Sequence, residues 1–226
     1  MINRKRKLIA ATGQQKRKAR LRELLEARDF ETLQKWTAED HYVLRGLTGL
    51  LFDRNNYRCW QAVEGLGYAT EVQATKDLEK IRRLLRSQFW NMNDESGNVG
   101  WFSAEAIGEM LHGAPVLIDE FAGMIPHFFK EEPFERGAHW AVARVAQLRP
   151  DFYKSSMPTI SQSLNEEDPY IRMYTIWALA AIGPMFVKGT IRELIDDSTE
   201  CEYYDFETGQ MVATTVGAEA RKALGE

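Results

Sequence analysis

The sequence predicts an all-α fold, a right-handed α-solenoid of about five helical pairs with a small C-terminal β-hairpin. A short phrase recurs along the chain: a small residue, an aliphatic residue four positions later, then Gly or Ala. Successive phrases are 37 to 42 residues apart, which is the period of stacked helical pairs. The phrases are Ala62/Leu66/Gly67, Ser103/Ile107/Gly108, Ala141/Val145/Ala146, Ala178/Ile182/Gly183 and Ala220/Leu224/Gly225.

Each phrase has a physical reason in a stack of helices. Small side chains let neighbouring backbones approach to about 8 Å, and the aliphatic residue fills the seam between layers. A second apolar stripe with helical spacing follows each of the first four phrases, so each unit is predicted to be helix, short turn, helix. These stripes are Leu78/Ile81/Leu85, Leu117/Phe121/Met124/Phe128, Met157/Ile160/Leu164 and Ile191/Leu194.

The sequence before residue 55 is predicted to cover the open face of the first pair. Apolar positions favour a helix over 14–26, a short turn or helix over 29–37 and a helix over 40–52. Gly46 and Gly49 weaken the last of these helices, and close packing is the expected compensation. We therefore assign residues 14–54 to an N-terminal helical cap and 55–198 to the repeats.

One unit indicates a family. Asp168-Pro169-Tyr170-Ile171-Arg172 is followed by an Ala-Leu-x-x-Ile-Gly ending at Gly183. Pro at the start of a helix loses no hydrogen bond, and Asp before it caps the free N–H groups. This pattern resembles the HEAT-like repeat named after phycobilisome lyases. The resemblance implies an α-solenoid with a concave binding face; it does not by itself transfer the bilin-attaching activity of those lyases.

The C-terminal residues 199–226 depart from pure helix. Two β-prone stretches, 201–206 and 211–214, flank a turn around Thr208-Gly209 and predict a β-hairpin. Thr214 or Thr215 would then cap a last helix through Leu224. We favour a hairpin that closes off the final repeat. The alternative is an exposed strand edge that adds a strand of a partner.

The charge is uneven along the chain. Nine of the 29 basic residues lie in the first 22 positions, where no acid occurs, so the rest holds 20 basic and 33 acidic residues. Residues 1–13 are predicted to be a flexible basic arm, either solvated or folded against the acidic body. The arm could also recruit nucleic acid or an acidic protein surface. Its candidate contact residues are Arg4, Lys5, Arg6, Lys7, Lys16, Arg17 and Lys18.

Several function classes find no support in the sequence. No apolar run approaches a membrane span, and the N-terminus lacks the apolar segment of a secretory signal, so we expect a cytoplasmic protein. Cys59 and Cys201 are isolated, which predicts neither a disulfide framework nor a zinc site. No phosphate-binding glycine loop or nucleophile elbow occurs. We expect neither an enzyme nor a cofactor.

Carboxylates around the second unit raise the question of a metal. Glu105 and Glu109 share a helix face with His112 three residues on. A di-iron site needs acidic and imidazole ligands converging from several helices, and the histidines are scattered along the sequence. We predict no metal site. The acidic residues considered are Asp94, Glu95, Glu105, Glu109, Asp119 and Glu120.

The segment from residue 90 to 102 is the candidate partner-binding site. It places polar residues between two tryptophans, a composition that suits recognition. Trp101 stands seven residues before its phrase glycine, as Trp60 does, and this supports a packing role for Trp101 instead. The candidate binding residues are Trp90, Asn93, Asp94, Glu95 and Trp101.

Two functions follow. The first is a non-enzymatic adaptor or scaffold that binds a protein through its concave face and residues 90–102. The alternative is nucleic-acid binding, resembling the HEAT-type alkylpurine DNA glycosylases. The basic arm favours this alternative, but the acidic body opposes it because duplex binding needs Lys and Arg to replace phosphate counterions.

Overall fold

The computed structural model describes residues 2–53, 55–93, 100–183 and 188–226, with side chains from residue 13 onward. The chain is mostly helical and carries a small two-stranded antiparallel sheet. Its elements are α1 (Ile2–Glu26), α2 (Phe30–Glu39), α3 (Tyr42–Leu50), α4 (Asn56–Lys76), α5 (Leu78–Met92), α6 (Ser103–Gly113), α7 (Ile118–Phe121), α8 (Glu135–Leu148), α9 (Met157–Gln162), α10 (Pro169–Ile182), α11 (Lys188–Arg192), β1 (Glu200–Asp205), β2 (Gln210–Thr215) and α12 (Val216–Leu224).

The N-terminal helices pack on α4. Helix α1 starts at Ile2, earlier than the predicted residue 14, and buries Leu21 and Leu25. Asp29 caps α2 by accepting a hydrogen bond from the Thr32 backbone N–H at 3.0 Å. Helices α2 and α3 both contact α4, so the helices predicted between residues 14 and 52 are present and cover it.

Helices α4, α6, α8 and α10 contact one another in sequence order, and we call them the helix row. The backbones in the row lie close together. A Cβ on Gly108 of α6 would lie 2.7 Å from the Cα of Ala141 on α8, and a Cβ on Gly113 would contact the Gly67 carbonyl of α4. The predicted role of the small residues is therefore confirmed at these contacts. Helix α12 packs against α10.

The second segments of the predicted pairs are less regular than expected. Only α5 is a long continuous helix; residues 115–128 combine two 3-10 helices with the short α7, and residues 154–165 combine two 3-10 helices with α9. Pro126 lies inside one 3-10 helix, where a proline has no N–H to donate. Most of the predicted apolar positions are buried, but Met124 is exposed.

The predicted C-terminal hairpin and last helix are confirmed. Strands β1 and β2 pair antiparallel, with Glu200 opposite Thr215 and Asp205 opposite Gln210. Gly209 adopts the left-handed backbone of the turn, at φ 71°. The Thr215 side chain caps α12 by accepting a hydrogen bond from the Ala218 N–H at 3.1 Å. No helix in the described ranges has the length and hydropathy to cross a bilayer.

Candidate functional site

The β-hairpin lies against the helix row through aromatic side chains. Tyr204 stacks on Trp60 of α4 with ring centroids 6.1 Å apart, and Phe206 stacks on Trp140 of α8 at 5.7 Å. Tyr203 meets Trp177 of α10 edge-on at 5.0 Å. The hairpin therefore packs on the first, third and last helices of the row, where the sequence suggested only closure of the final repeat.

Hydrogen bonds attach the hairpin to the N-terminal third of the chain. The Arg28 guanidinium donates to the Phe206 and Glu207 carbonyls at 2.5 and 2.6 Å, and the Tyr57 hydroxyl donates to the Gly209 carbonyl at 2.9 Å. The Tyr204 hydroxyl donates to Glu64 at 2.7 Å. Each contact joins residues more than 135 positions apart.

Three buried carboxylates of the helix row and α12 are paired. Glu64 accepts from Arg28 at 2.5 Å, Glu109 accepts twice from Arg144 at 2.7 and 3.2 Å, and Glu219 accepts from the Trp177 indole at 2.7 Å. Burial raises the pKa of Glu64, and its hydrogen bonds oppose this. Burial also raises the pKa of Glu109 to about 7, against the opposing effect of Arg144.

Hairpin residues line two cavities. One, the C-end cavity, has a volume of about 660 Å³ and lies near the C-terminal ends of α8 and α10, among Arg144, Gln147, Ala181 and Glu219. The other, the N-end cavity, has a volume of about 570 Å³. It lies at the first turns of α4, α6, α8 and α10, and its lining includes Trp60, Trp101, Glu105, Arg136 and Tyr170.

Glu105 in the N-end cavity differs from the other buried carboxylates. Its Oε2 atom is fully buried and has no hydrogen-bond partner among the described residues. It lies directly against Gly137 of α8, where a Cβ would clash with it. Burial raises the pKa of Glu105 to about 8. Among the described lining residues the one arginine is Arg136, which is bound to Asp168 at 2.5 Å and lies 4.2 Å over the Tyr170 ring.

Three of the five predicted binding residues lie on the surface of the described structure. Trp90, at the end of α5, is 73% exposed and Trp101 is 57% exposed, while Trp60 is buried. The packing role suggested by the shared spacing is therefore wrong for Trp101. Asn93 is also exposed, and Asp94 and Glu95 lie outside the described residues.

The basic arm is partly bound to its own chain. Arg17 pairs with Asp40 at 3.1 Å and also lies over the Tyr42 ring, whereas the Lys16 and Lys18 side chains are exposed. For Arg4, Lys5, Arg6 and Lys7 the structure describes only the helical backbone.

Three of the six acidic residues considered for a metal are paired with arginines. Glu109 pairs with Arg144, Glu120 with Arg82 and Arg86, and Asp119 with Arg149. Across the described ranges, no three His, Cys, Asp or Glu side chains are arranged to hold a metal ion. Cys59 and Cys201 are buried free thiols, and burial raises the pKa of Cys59 to about 12.

Sequence reasoning missed the pairing of Glu64 and Glu109 with arginines and the isolation of Glu105. A signal was present, because acids at these positions interrupt helices otherwise rich in small and apolar residues. No protein-family model, curated protein or solved structure matches this chain.

Proposed function

We propose that this protein is a non-enzymatic adaptor, a right-handed α-solenoid of HEAT-like repeats that binds a protein partner through its concave face and residues 90–102. The observation that carries the proposal is the exposure of Trp90 and Trp101, 73% and 57%, at the two ends of that segment. Tryptophan is enriched among the residues that dominate binding energy at protein interfaces. The sequential contacts of α4, α6, α8 and α10 support the solenoid.

The charges of the helix row favour a protein partner over nucleic acid. Arg136, Arg144 and Arg172 are each engaged by a carboxylate of the same chain. A duplex-binding groove needs cations that are free to replace phosphate counterions. In the arm, Arg17 is paired with Asp40, whereas the described side chains of Lys16 and Lys18 are exposed.

The test is affinity capture from lysate of the native host with three baits. These are the wild type, a Trp90→Ala/Trp101→Ala variant and a matched Val116→Ala/Leu148→Ala variant. The control removes apolar side chains that are 69% and 37% exposed elsewhere on the surface. We expect a stoichiometric protein that the tryptophan variant loses and the control retains.

Two results would contradict the adaptor. Equal recovery by all three baits would show that the tryptophans do not bind the partner. Recovery that disappears after nuclease treatment would instead favour nucleic-acid binding through the arm. The melting temperatures of the three baits are compared first, to check that all are folded. Both tryptophans are largely solvent-exposed, so their removal should leave the fold intact.

A further inference from the structure

Of the two large cavities, only the N-end cavity is lined by a described polar group that is buried and has no partner. In the C-end cavity, Arg144 is held by Glu109 and Glu219 is held by Trp177 and Thr214. In the N-end cavity, Oε2 of Glu105 is buried and has no partner in the described chain. Buried polar side-chain atoms are hydrogen-bonded in the large majority of cases, so an exception needs an explanation.

An unpartnered carboxyl group is costly in a protein interior. Leaving a buried acceptor unsatisfied costs about 1–3 kcal/mol, and more for a charged group. An apolar side chain of similar size would avoid that cost. The neighbouring helix α8 also makes room for the carboxyl group, because any side chain larger than that of glycine at position 137 would clash with Oε2. A ligand that donates a hydrogen bond to Glu105 would explain both the buried carboxyl group and the glycine that makes room for it.

The dimensions and walls of the cavity suit a small molecule. Its volume of about 570 Å³ lies within the usual range for ligand sites, about 300–1,000 Å³. Trp60, Trp101 and Tyr170 line it together with Glu105. Trp60 is buried and Arg136 already lies over the Tyr170 ring, so Trp101 offers most of the exposed aromatic surface. Aromatic faces attract cations through the ring quadrupole, by about 0.5–2 kcal/mol each.

The charges in the cavity select the sign of the ligand. Among the described residues, Asp53, Glu105 and Glu202 line it together with Arg136. Asp53 is paired with Arg22 and Arg58 at 3.6 and 3.9 Å, and Arg136 with Asp168, so Glu105 and Glu202 are the lining acids without a described ion-pair partner. Helix N-termini alone would favour an anion. Here, however, the side chains of Asn55 and Asp168 already accept N–H groups at the starts of α4 and α10. Helices α6 and α8 have no side-chain cap, but each carries an acid in its first turn, Glu105 and Glu135.

We infer that the N-end cavity binds a small organic cation, an aromatic amidine or a protonated nitrogen heterocycle, whose N–H groups donate to Glu105 while its ring lies among Trp60, Trp101 and Tyr170. This inference does not rest on the adaptor function. The two proposals share Trp101, and they are separated by Trp90→Ala, which leaves the cavity lining unchanged, and by Glu105→Gln, which leaves both tryptophans in place.

The experiment uses three probes of nearly the same shape: benzamidinium, neutral benzamide and anionic benzoate. Binding to the full-length protein is measured by isothermal titration calorimetry at pH 8, near the pKa of Glu105. The other described ionisable groups facing the cavity are Asp53, Arg136, Tyr170, Tyr174 and Glu202. We expect benzamidinium to bind at least about tenfold more tightly than benzamide or benzoate.

The variants are Glu105→Gln, which keeps the shape and removes the charge, and Glu131→Gln, which neutralises an exposed acid as a control. Glu105→Gln should lose the preference for benzamidinium, and Glu131→Gln should keep it. Trp101→Ala removes an exposed wall without opening the core and should weaken benzamidinium binding several-fold. Three outcomes each overturn the inference: no benzamidinium binding, tighter binding of benzoate, or unchanged binding in a folded Glu105→Gln variant.

Discussion

Two glycines of the helix row lie opposite buried carboxyl groups. A Cβ on Gly67 would contact the carboxylate of Glu109, and a Cβ on Gly137 would contact that of Glu105. The phrase glycine Gly67 therefore makes room for a side chain, in addition to any close backbone approach. The two carboxylates differ in their surroundings, because Glu109 is paired with Arg144 and Glu105 has no described partner.

This difference predicts a pH dependence of stability. The pKa of Glu105 is about 8 in the folded protein, above its ordinary value of 4.5. The folded state therefore retains a proton that the unfolded state releases, and stability falls as pH rises from about 4.5 to about 8. Glu105→Gln should remove the contribution of Glu105 to the slope of unfolding free energy against pH, which is at most about 1.4 kcal/mol per pH unit.

Urea denaturation of the wild type and Glu105→Gln at pH 5, 6.5 and 8 measures the effect. The advantage of the variant should grow with pH. An advantage that is constant or shrinks with pH would show that Glu105 is solvated or paired in the folded protein. Glu109→Gln is a poor control, because it breaks a buried ion pair.

At the scale of elements, α3 illustrates how packing decides the effect of a glycine. A Cβ on Gly46 would lie 2.7 Å from Leu21 of α1, whereas the Cβ position of Gly49 has no described atom within 4 Å. Close packing therefore compensates the low helix propensity of Gly46 but not that of Gly49.

Alanine at these two positions should have opposite effects. Gly49→Ala should stabilise the protein by about 0.5–1 kcal/mol, since it removes backbone entropy from the unfolded chain without a clash. Gly46→Ala should destabilise it by about 1–3 kcal/mol through overpacking against Leu21. Thermal and urea unfolding of both variants checks the prediction, and equal signs would contradict it.

The β-hairpin offers a second matched pair of variants, at Tyr204 and Tyr203. Tyr204→Phe removes the hydroxyl that donates to the buried Glu64 and should cost about 1–3 kcal/mol. Tyr203→Phe is the control, because the Tyr203 hydroxyl has no hydrogen bond within the described ranges. Chemical denaturation compares the two variants. A similar cost for both would show that the Tyr204–Glu64 bond contributes little.

Local signals made several elements predictable. Asp168 and Pro169 start α10, Thr215 caps α12, and Gly209 supplies the turn conformation, each through neighbours within a few residues. The irregular segments after α6 and α8 were harder to predict, because an apolar stripe of helical spacing fits both a regular helix and short 3-10 pieces. Pro126 argues against a regular α-helix in the segment after α6.

The location of the hairpin was not predictable from pattern. Its contact with Glu64 spans 140 residues and depends on the assembled helix row. The exposure of Trp101 was missed for a related reason, since equal spacing from a glycine does not ensure equal neighbours. For the candidate site, the sequence singled out Glu105 as a possible metal ligand, but its missing partner appears only once α8 is packed beside α6.

At the scale of the whole molecule, the described part of α1 contributes a core face and ion pairs. Leu21 and Leu25 are buried, and Arg17 and Arg22 pair with Asp40 and Asp53 at 3.1 and 3.6 Å. Removing residues 1–12 leaves all of these side chains in place. The melting temperature should therefore change by no more than about 1–2 °C.

Differential scanning calorimetry of the truncated and full-length chains measures the shift. A loss of several degrees would assign the first twelve residues to the cap. A matched comparison is Leu21→Ala, which removes a buried side chain and should cost about 2–5 kcal/mol.

The hairpin also limits how this molecule could change in length. In ordinary helical arrays each unit contacts only its neighbours, so units could be gained or lost without disturbing distant ones. Here strands of six residues, about 20 Å long, contact helices at both ends of the row. Another helix in the row would separate those helices by about 10 Å more, beyond reach of the same strands. Insertion of one helix into the row would thus require longer strands as well, and the number of helices in the row is tied to the length of the hairpin.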